Sequence, residues 1–223
     1  MKIKYFFLFL LLLIGIYSIV SYYFEFSNTD GLYKNLQLEG HLDKSIFELA
    51  LKGKRKFCKY SSVITIVDFT KPSTEKRMFI LDLVSKKVIF NTYVAHGKNS
   101  GENYATDFSN EDESHKSSLG FYETGTTYYG KHGYSLKLNG LEVGINDLAY
   151  KRAIVVHGAE YVSEEFIKTH GRLGRSHGCP AVPMDLHKEI INKIKNGTCL
   201  FIFAEDEEYI KTSRKSLTFG KSS

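Results

Sequence analysis

A mostly β domain of the β-rich α+β class, carrying two or three short helices, is the fold this chain predicts. Short runs of β-branched and aromatic residues recur between turn-rich stretches. Only a few windows hold apolar residues at helical spacing. Strands and helices do not alternate regularly, which argues against a doubly wound parallel sheet.

The chain opens with Met1-Lys2-Ile3-Lys4, two cations ahead of an uncharged run from Tyr5 to Phe24. Those 20 residues are enough to cross a bilayer as one helix. A secretory signal has the same basic start but a shorter apolar core and a small-residue cleavage site. The bulky Tyr22-Tyr23-Phe24 ending suits a membrane–water interface instead. Residues 1–24 therefore read as an uncleaved anchor, with a cleaved signal segment as the alternative. Lysines before the span, and Glu25 and Asp30 after it, leave the remainder extracytoplasmic, periplasmic or on the outer face.

Residues 25–42 are mixed and turn-rich and read as a tether. Region 25–58 is then tether plus a short helix near Asp43 to Arg55, with Ile46, Phe47, Ala50 and Leu51 on one face. Strands dominate the domain at 59–204. Val63 to Val67 is β-branched, Lys71-Pro72-Ser73-Thr74 is a turn, and Met78 to Leu83 and Lys87 to Ala95 are strands joined at Ser85-Lys86. Residues 97–118, rich in Gly, Asn, Ser and Asp, form a loop of a length that is usually functional or mobile. Leu119 to Tyr129 is the next strand. Asn139-Gly140 is a strong hairpin signal and is expected to join Tyr134–Leu138 to Leu141–Gly144. Arg152 to His157 is another strand. Ser163 before Glu164, Glu165 and Phe166 caps a short helix. A second helix covers Asp185 to Lys195, with Leu186, Ile190, Ile191 and Ile194 inward and Gly197 past its end. Thr198 to Phe203 is the last strand, and the polar tail 205–223 is expected to fray.

Without Lys2 and Lys4 the formal charge falls from +5 to +3, and the cations are interspersed with acids. That distribution argues against a nucleic-acid partner. Nothing in the sequence bears on oligomeric state.

Three cysteines leave at least one unpaired in an exported chain, and an odd thiol is a candidate for reactivity. Cys199 lies in an apolar strand and reads as a core residue. Cys58 is structural or exposed, and a Cys58–Cys199 disulfide stays open. Cys179 differs. In Gly171-Arg172-Leu173-Gly174-Arg175-Ser176-His177-Gly178-Cys179-Pro180 the thiol has cations and a histidine nearby, and a nucleophilic thiol needs a base or positive charge. Gly178 frees the backbone to gather N–H groups around a developing oxyanion. Val155-Val156-His157-Gly158 sets a second histidine at a strand end, a rigid mount for a base. Each feature alone has an ordinary explanation, as core cysteine, satisfied histidine, turn glycine or surface arginine. Their co-occurrence carries the reading. Zinc is the chemical rival, through His157, His170, His177 and Cys179, but their spacing matches no common zinc pattern. No metal and no cofactor is expected. Tyr122, Tyr128, Tyr129 and Tyr134 are either groove-lining or ordinary strand aromatics.

His157-Gly158 followed by Ser176-His177-Gly178-Cys179 resembles the YkuD-type L,D-transpeptidases, over residues 60–204. The likeness is to the branch ending Gly-Arg-Ser-x-Gly-Cys-Pro-Ala. It implies an L,D-transpeptidase-like β-sandwich or mixed sheet at 59–204, with peptidoglycan stem peptides as substrate. Cys179 would attack the carbonyl of the third stem residue, usually meso-diaminopimelate, and expel the terminal D-Ala. The acyl group would pass to an amine, giving a 3→3 cross-link. Alternatives are hydrolysis by an L,D-carboxypeptidase, attachment of a protein amine, or a wall-binding module without catalysis. The resemblance implies His157 as base, with the Gly158 carbonyl holding its other ring nitrogen. It gives the oxyanion hole to the backbone of His177, Gly178 and Cys179, with His177 and Ser176 in support. The family's Arg or Asn two residues after the cysteine is Ala181 here, and Arg175 is the candidate to take over its positioning role.

Overall fold

Eight strands make one mixed sheet. β1 (Val63–Asp68), β2 (Met78–Asp82) and β3 (Lys87–Thr92) form an antiparallel meander. β4 (Gly120–Gly130), β5 (Gly133–Gly140), β6 (Val155–Ala159), β7 (Ala181–Pro183) and β8 (Cys199–Phe203) complete it in the order β3-β2-β1-β8-β4-β5-β6-β7. The β1–β8 and β6–β7 pairs are parallel. β8 is buried along its whole length, as its unbroken Cys-Leu-Phe-Ile-Phe run requires. This computed structural model describes residues 29–218, together with Tyr5, Phe7, Leu13, Gly15 and Ile16. The span expected over 5–24 otherwise lies outside the described residues, among which no helix is long and apolar enough to cross a membrane.

The expected mostly β architecture is observed as a single sheet, not as two stacked ones. Just past β3, Ala95 exchanges two backbone hydrogen bonds with Ala181 of β7, at 2.8 and 3.3 Å. That bridge draws the two edge strands together and nearly closes the sheet into a barrel. Helix α1 (Lys44–Phe57) packs on β1, β4 and β8, and the short α3 (His187–Ile194) on β1, β5 and β6. Helix α2 (Glu164–His170) begins at Ser163, whose Oγ accepts from the Phe166 N–H at 3.2 Å. Cys58 and Cys199 are buried neighbours, both present as free thiols, and their contact together with burial pushes the Cys199 thiol far up.

Four expectations change. Asn139-Gly140 does not turn; both residues lie inside β5, opposite Glu123 and Tyr122. The hairpin turns instead at Lys131-His132, between the paired Gly130 and Gly133. Where a second strand was expected, Glu142 Oε2 accepts from the Phe121 N–H (2.7 Å) and Asn146 Nδ2 donates to the carbonyls of Leu119 (2.8 Å) and Phe121 (3.0 Å). Side chains thus occupy the ladder positions. Gly140 is required because the Asn146 carbonyl lies where its Cβ would be. Arg152, expected in a strand, precedes β6 in a turn, its N–H bonded to the Leu148 carbonyl at 2.9 Å. The tail does not fray at once, since Glu207–Thr218 forms helix α4 with Tyr209 buried and bonded to Glu142. Finally, part of the expected tether joins the core through Tyr33, Leu36, Leu38 and Leu42.

The segment that closes the sheet is held by a fully buried cation. Arg77 donates to the carbonyls of Val94 and Lys71 and to His96 Nδ1 (2.8 Å), and its guanidinium lies 4.7 Å from the Phe69 ring centre. Burial lowers Arg77 to about 9, so it stays charged at neutral pH. His96 must then accept at Nδ1, and burial beside that cation holds it down to about 4. An unfolded histidine near 6.5 binds the proton first, so stability is full above that pH and is lost as pH falls toward 4. His96 alone is expected to cost about 2 kcal/mol between pH 7 and pH 4.5. Urea unfolding of His96→Gln should show that much less acid loss than wild type; an equal loss would remove His96 from the account.

Candidate active site

Strand register builds the site. Tyr128, Ser135, His157 and Ala181 face one another in a row across β4, β5, β6 and β7, and Lys137 and Val155 form part of the next row. Side chains alternate along strands, so both rows lie on the face opposite Leu136, Val156 and Val182, which join the main core. Carrying the β6–β7 register back two residues sets Cys179 beside Val155. The Val155 N–H donates to Cys179 Sγ at 3.4 Å. Cys179 and His157 are therefore offset by about 6.5 Å along the strand direction on one face. Among the described residues no hydrogen bond joins them; the thiol donates to the Ala153 carbonyl at 3.7 Å.

The turn carrying Cys179 is organised by Ser176. Its Oγ accepts from the Gly178 N–H at 3.0 Å and donates to the Cys179 carbonyl at 2.6 Å. Gly178 N–H is thus already engaged, while the N–H groups of His177 and Cys179 have no hydrogen-bond partner among the described residues. Gly178 has φ +116°, and a Cβ there would sit 2.8 Å from the Lys116 carbonyl. Only glycine lets loop 97–118 lie this close over the Cys179 turn. Ser117 pins it, bridging the Gly97 N–H (3.0 Å) and the Gly178 carbonyl (3.2 Å).

The arginines divide differently from the sequence reading. Arg172 and Arg175 both pair with Glu102, at 2.9 and 2.6 Å, and Arg175 also donates to the carbonyls of Lys98 and Gly101. Arg175 therefore steadies the 98–102 turn. The cation acting on Cys179 is Arg152. It donates to Ser109 O, Ser118 Oγ, Ser114 Oγ and Lys116 O at 2.5–3.1 Å, fixing the loop that covers Gly178. No motif marked Arg152 in the sequence, where it read as a strand residue. Ala181 is fully buried with Ala95, Ala159, Val162 and Leu173, so the site's closure leaves it small.

His157 is 3% exposed, and its Nδ1 lies 3.0 Å from the Gly158 carbonyl. A carbonyl only accepts, so Nδ1 carries the proton and Nε2 is free to take one. Burial lowers the imidazole pKa below its usual value, helped by His132 and His187. His132, from the β4–β5 turn, stacks on His157 with ring centres 4.6 Å apart. His177 is exposed and stacks on His115 at 4.3 Å. Burial pushes the Cys179 thiol up, against the opposing effects of the Val155 N–H and Arg152. The resting pair is thus neutral thiol and neutral imidazole. Iodoacetamide labelling of Cys179 is accordingly expected to rise through a midpoint above pH 9.0, the ordinary thiol value. A plateau already reached near about pH 6 would indicate a resting thiolate instead.

Of the four tyrosines considered, Tyr122 is core, with its hydroxyl on the Ser118 carbonyl. Tyr134 packs on Tyr129 and bonds Asn192. Tyr128 alone lines a cavity of 250 Å³ bounded also by Lys137, Tyr150, Ala153, Ile154 and Val155; neither Cys179 nor His157 lines it, but the Val155 N–H and the Ala153 carbonyl touch the Cys179 sulfur. A larger cavity of 410 Å³ between Tyr93 and Met184 contains neither Cys179 nor His157. His170 is exposed on α2 and stacks on Phe166. Among the described residues no three His, Cys, Asp or Glu side chains are grouped to hold a metal.

A family model described as the L,D-transpeptidase catalytic domain matches residues 38–203. Solved structures with a similar fold include an L,D-transpeptidase from Mycobacterium smegmatis (12% identity, 65% of this chain and 59% of that one, TM-score 0.40). Others are the helical cell shape determining protein Pgp2 from Campylobacter jejuni (14%, 72% and 55%, 0.43) and the Enterococcus faecium L,D-transpeptidase (16%, 64% and 50%, 0.38). The matched region spans between half and three fifths of those chains. No curated protein sequence matches.

Proposed function

The chain belongs to the L,D-transpeptidase catalytic-domain family, and on that premise we propose that it cross-links peptidoglycan through a thioester on Cys179. The observation that supports this best is the shared sheet face of Cys179 and His157, with His157 Nδ1–H fixed on the Gly158 carbonyl. The thiol would have to leave the Ala153 carbonyl and turn toward the imidazole; catalytic hydrogen bonds are often long before substrate binds.

His157 Nε2 takes the Cys179 proton as Sγ attacks the carbonyl of the third stem residue. The oxyanion is held by the N–H groups of His177 and Cys179, while Ser176 keeps Gly178 in place. Collapse breaks the C–N bond, and His157 returns its proton to the departing D-alanine amine. An acceptor amine from a second stem then attacks the thioester, loses its proton to His157 and releases Cys179 as the thiol. The substrate lies in the wall, so the domain works outside the cytoplasm, anchored through residues 5–24. Arg175 positions the loop beside the site in place of the side chain that Ala181 lacks.

Incubation with a disaccharide-tetrapeptide followed by mass spectrometry tests the reaction. Loss of D-alanine with formation of dimers is the expected result. Loss without dimers would mean hydrolysis, and no loss at all would leave only a wall-binding role.

A further inference from the structure

Lys137 stands directly opposite Val155 in the β5–β6 ladder, on the face that carries Cys179 and His157. Its ammonium lies 5.8 Å from the Tyr128 ring centre and 5.6 Å from that of Tyr150. Among the described residues no carboxylate pairs with it. Of the groove residues, Ala153 and Val155 are also the two that touch the Cys179 sulfur. A cation held between two aromatic faces, in a groove whose Ala153–Val155 wall touches the Cys179 sulfur through its backbone, is built to receive an anion.

We infer that Lys137, flanked by Tyr128 and Tyr150, binds the C-terminal carboxylate of the donor peptide and so restricts cleavage to the last peptide bond. The inference rests on Cys179 being the acylated residue. A terminal carboxylate is three bonds from the scissile carbonyl carbon. It therefore falls just beyond the sulfur, toward the Ala153–Val155 wall that the sulfur and the groove share. Ala153, Ile154 and Val155 offer an apolar wall for a small side chain such as that of alanine. Blocking the carboxylate, or lengthening the peptide past it, removes the anion and places an amide beside Lys137.

The test compares a tetrapeptide ending in D-alanine with its C-terminal amide, on the full chain. Binding is read by calorimetry with Cys179→Ala, and acylation separately by mass with the thiol intact. The acid is expected to bind about tenfold or more tighter than the amide. Lys137→Gln should erase that preference, and Lys137→Arg should keep most of it. Lys137 is part-exposed, so neither change is expected to disturb folding. Acid and amide binding equally, an unaltered preference in Lys137→Gln, or no binding of the acid at all would overturn the subsite. A Lys137-dependent preference without any acylation would support the subsite and sink the reaction. Equal acylation by acid and amide would do the reverse.

Discussion

His157→Ala is expected to slow acylation of Cys179 by about a hundredfold to ten-thousandfold, the range that general-base catalysis contributes. The reason is the resting protonation state. Burial holds the Cys179 thiol above the ordinary thiol value, so at neutral pH the sulfur carries its proton and cannot attack unaided. Burial also keeps His157 neutral, with its one proton on Nδ1 and its open nitrogen available. The acid limb of the acylation profile should consequently have its midpoint below pH 6.5. His177→Ala should cost less than about tenfold, because that ring is exposed and stacked on His115 while only its backbone N–H is needed. Stopped acylation reactions analysed by mass would measure both. A larger loss in His177→Ala than in His157→Ala would move the base to His177.

Arg152→Ala is expected to lower both stability and rate. The guanidinium ties the 109–118 loop at four points, two backbone carbonyls and two serine hydroxyls, and that loop lies on Gly178. Losing charged hydrogen bonds from a half-buried site should cost about 2–3 kcal/mol in denaturant unfolding. Acylation should drop at least about tenfold as the turn loosens. A structural role alone would leave the thiol's titration in place. Arg152 also draws the Cys179 pKa down, so its removal should move the alkylation midpoint further up. Arg152→Lys should restore the midpoint but not the loop, since an ammonium cannot reproduce the guanidinium fork. An unmoved midpoint in Arg152→Ala would confine the residue to scaffolding.

Local sequence made the helices and strands legible where one segment decided the outcome. Ile46, Phe47, Ala50 and Leu51 announced one face of α1, and the unbroken apolar run announced β8. The motif that resembles a family directed attention to Cys179, His157 and Gly158; the register sets Cys179 and His157 on one face, and His157 bonds the Gly158 carbonyl. What stayed hidden depends on contacts distant in sequence. Asn139-Gly140 has the chemistry of a turn, yet Glu142 and Asn146 side chains complete the β4 ladder and Gly140 serves close packing. Arg172 and Arg175 adjoin the cysteine in sequence but are neutralised by Glu102, whereas Arg152 approaches it from 27 residues away. Sheet closure through Ala95 and Ala181 has no local signal either, since two alanines do not reveal that they pair.

The proposed reaction stands on a covalent intermediate at Cys179. The protein would be quenched in acid during turnover of a disaccharide-tetrapeptide, and its intact mass and peptide map recorded. The expected result is an adduct equal to the donor less D-alanine, carried on Cys179, removed by hydroxylamine and absent from Cys179→Ala. Turnover by Cys179→Ala, or the adduct on any other residue, would contradict it.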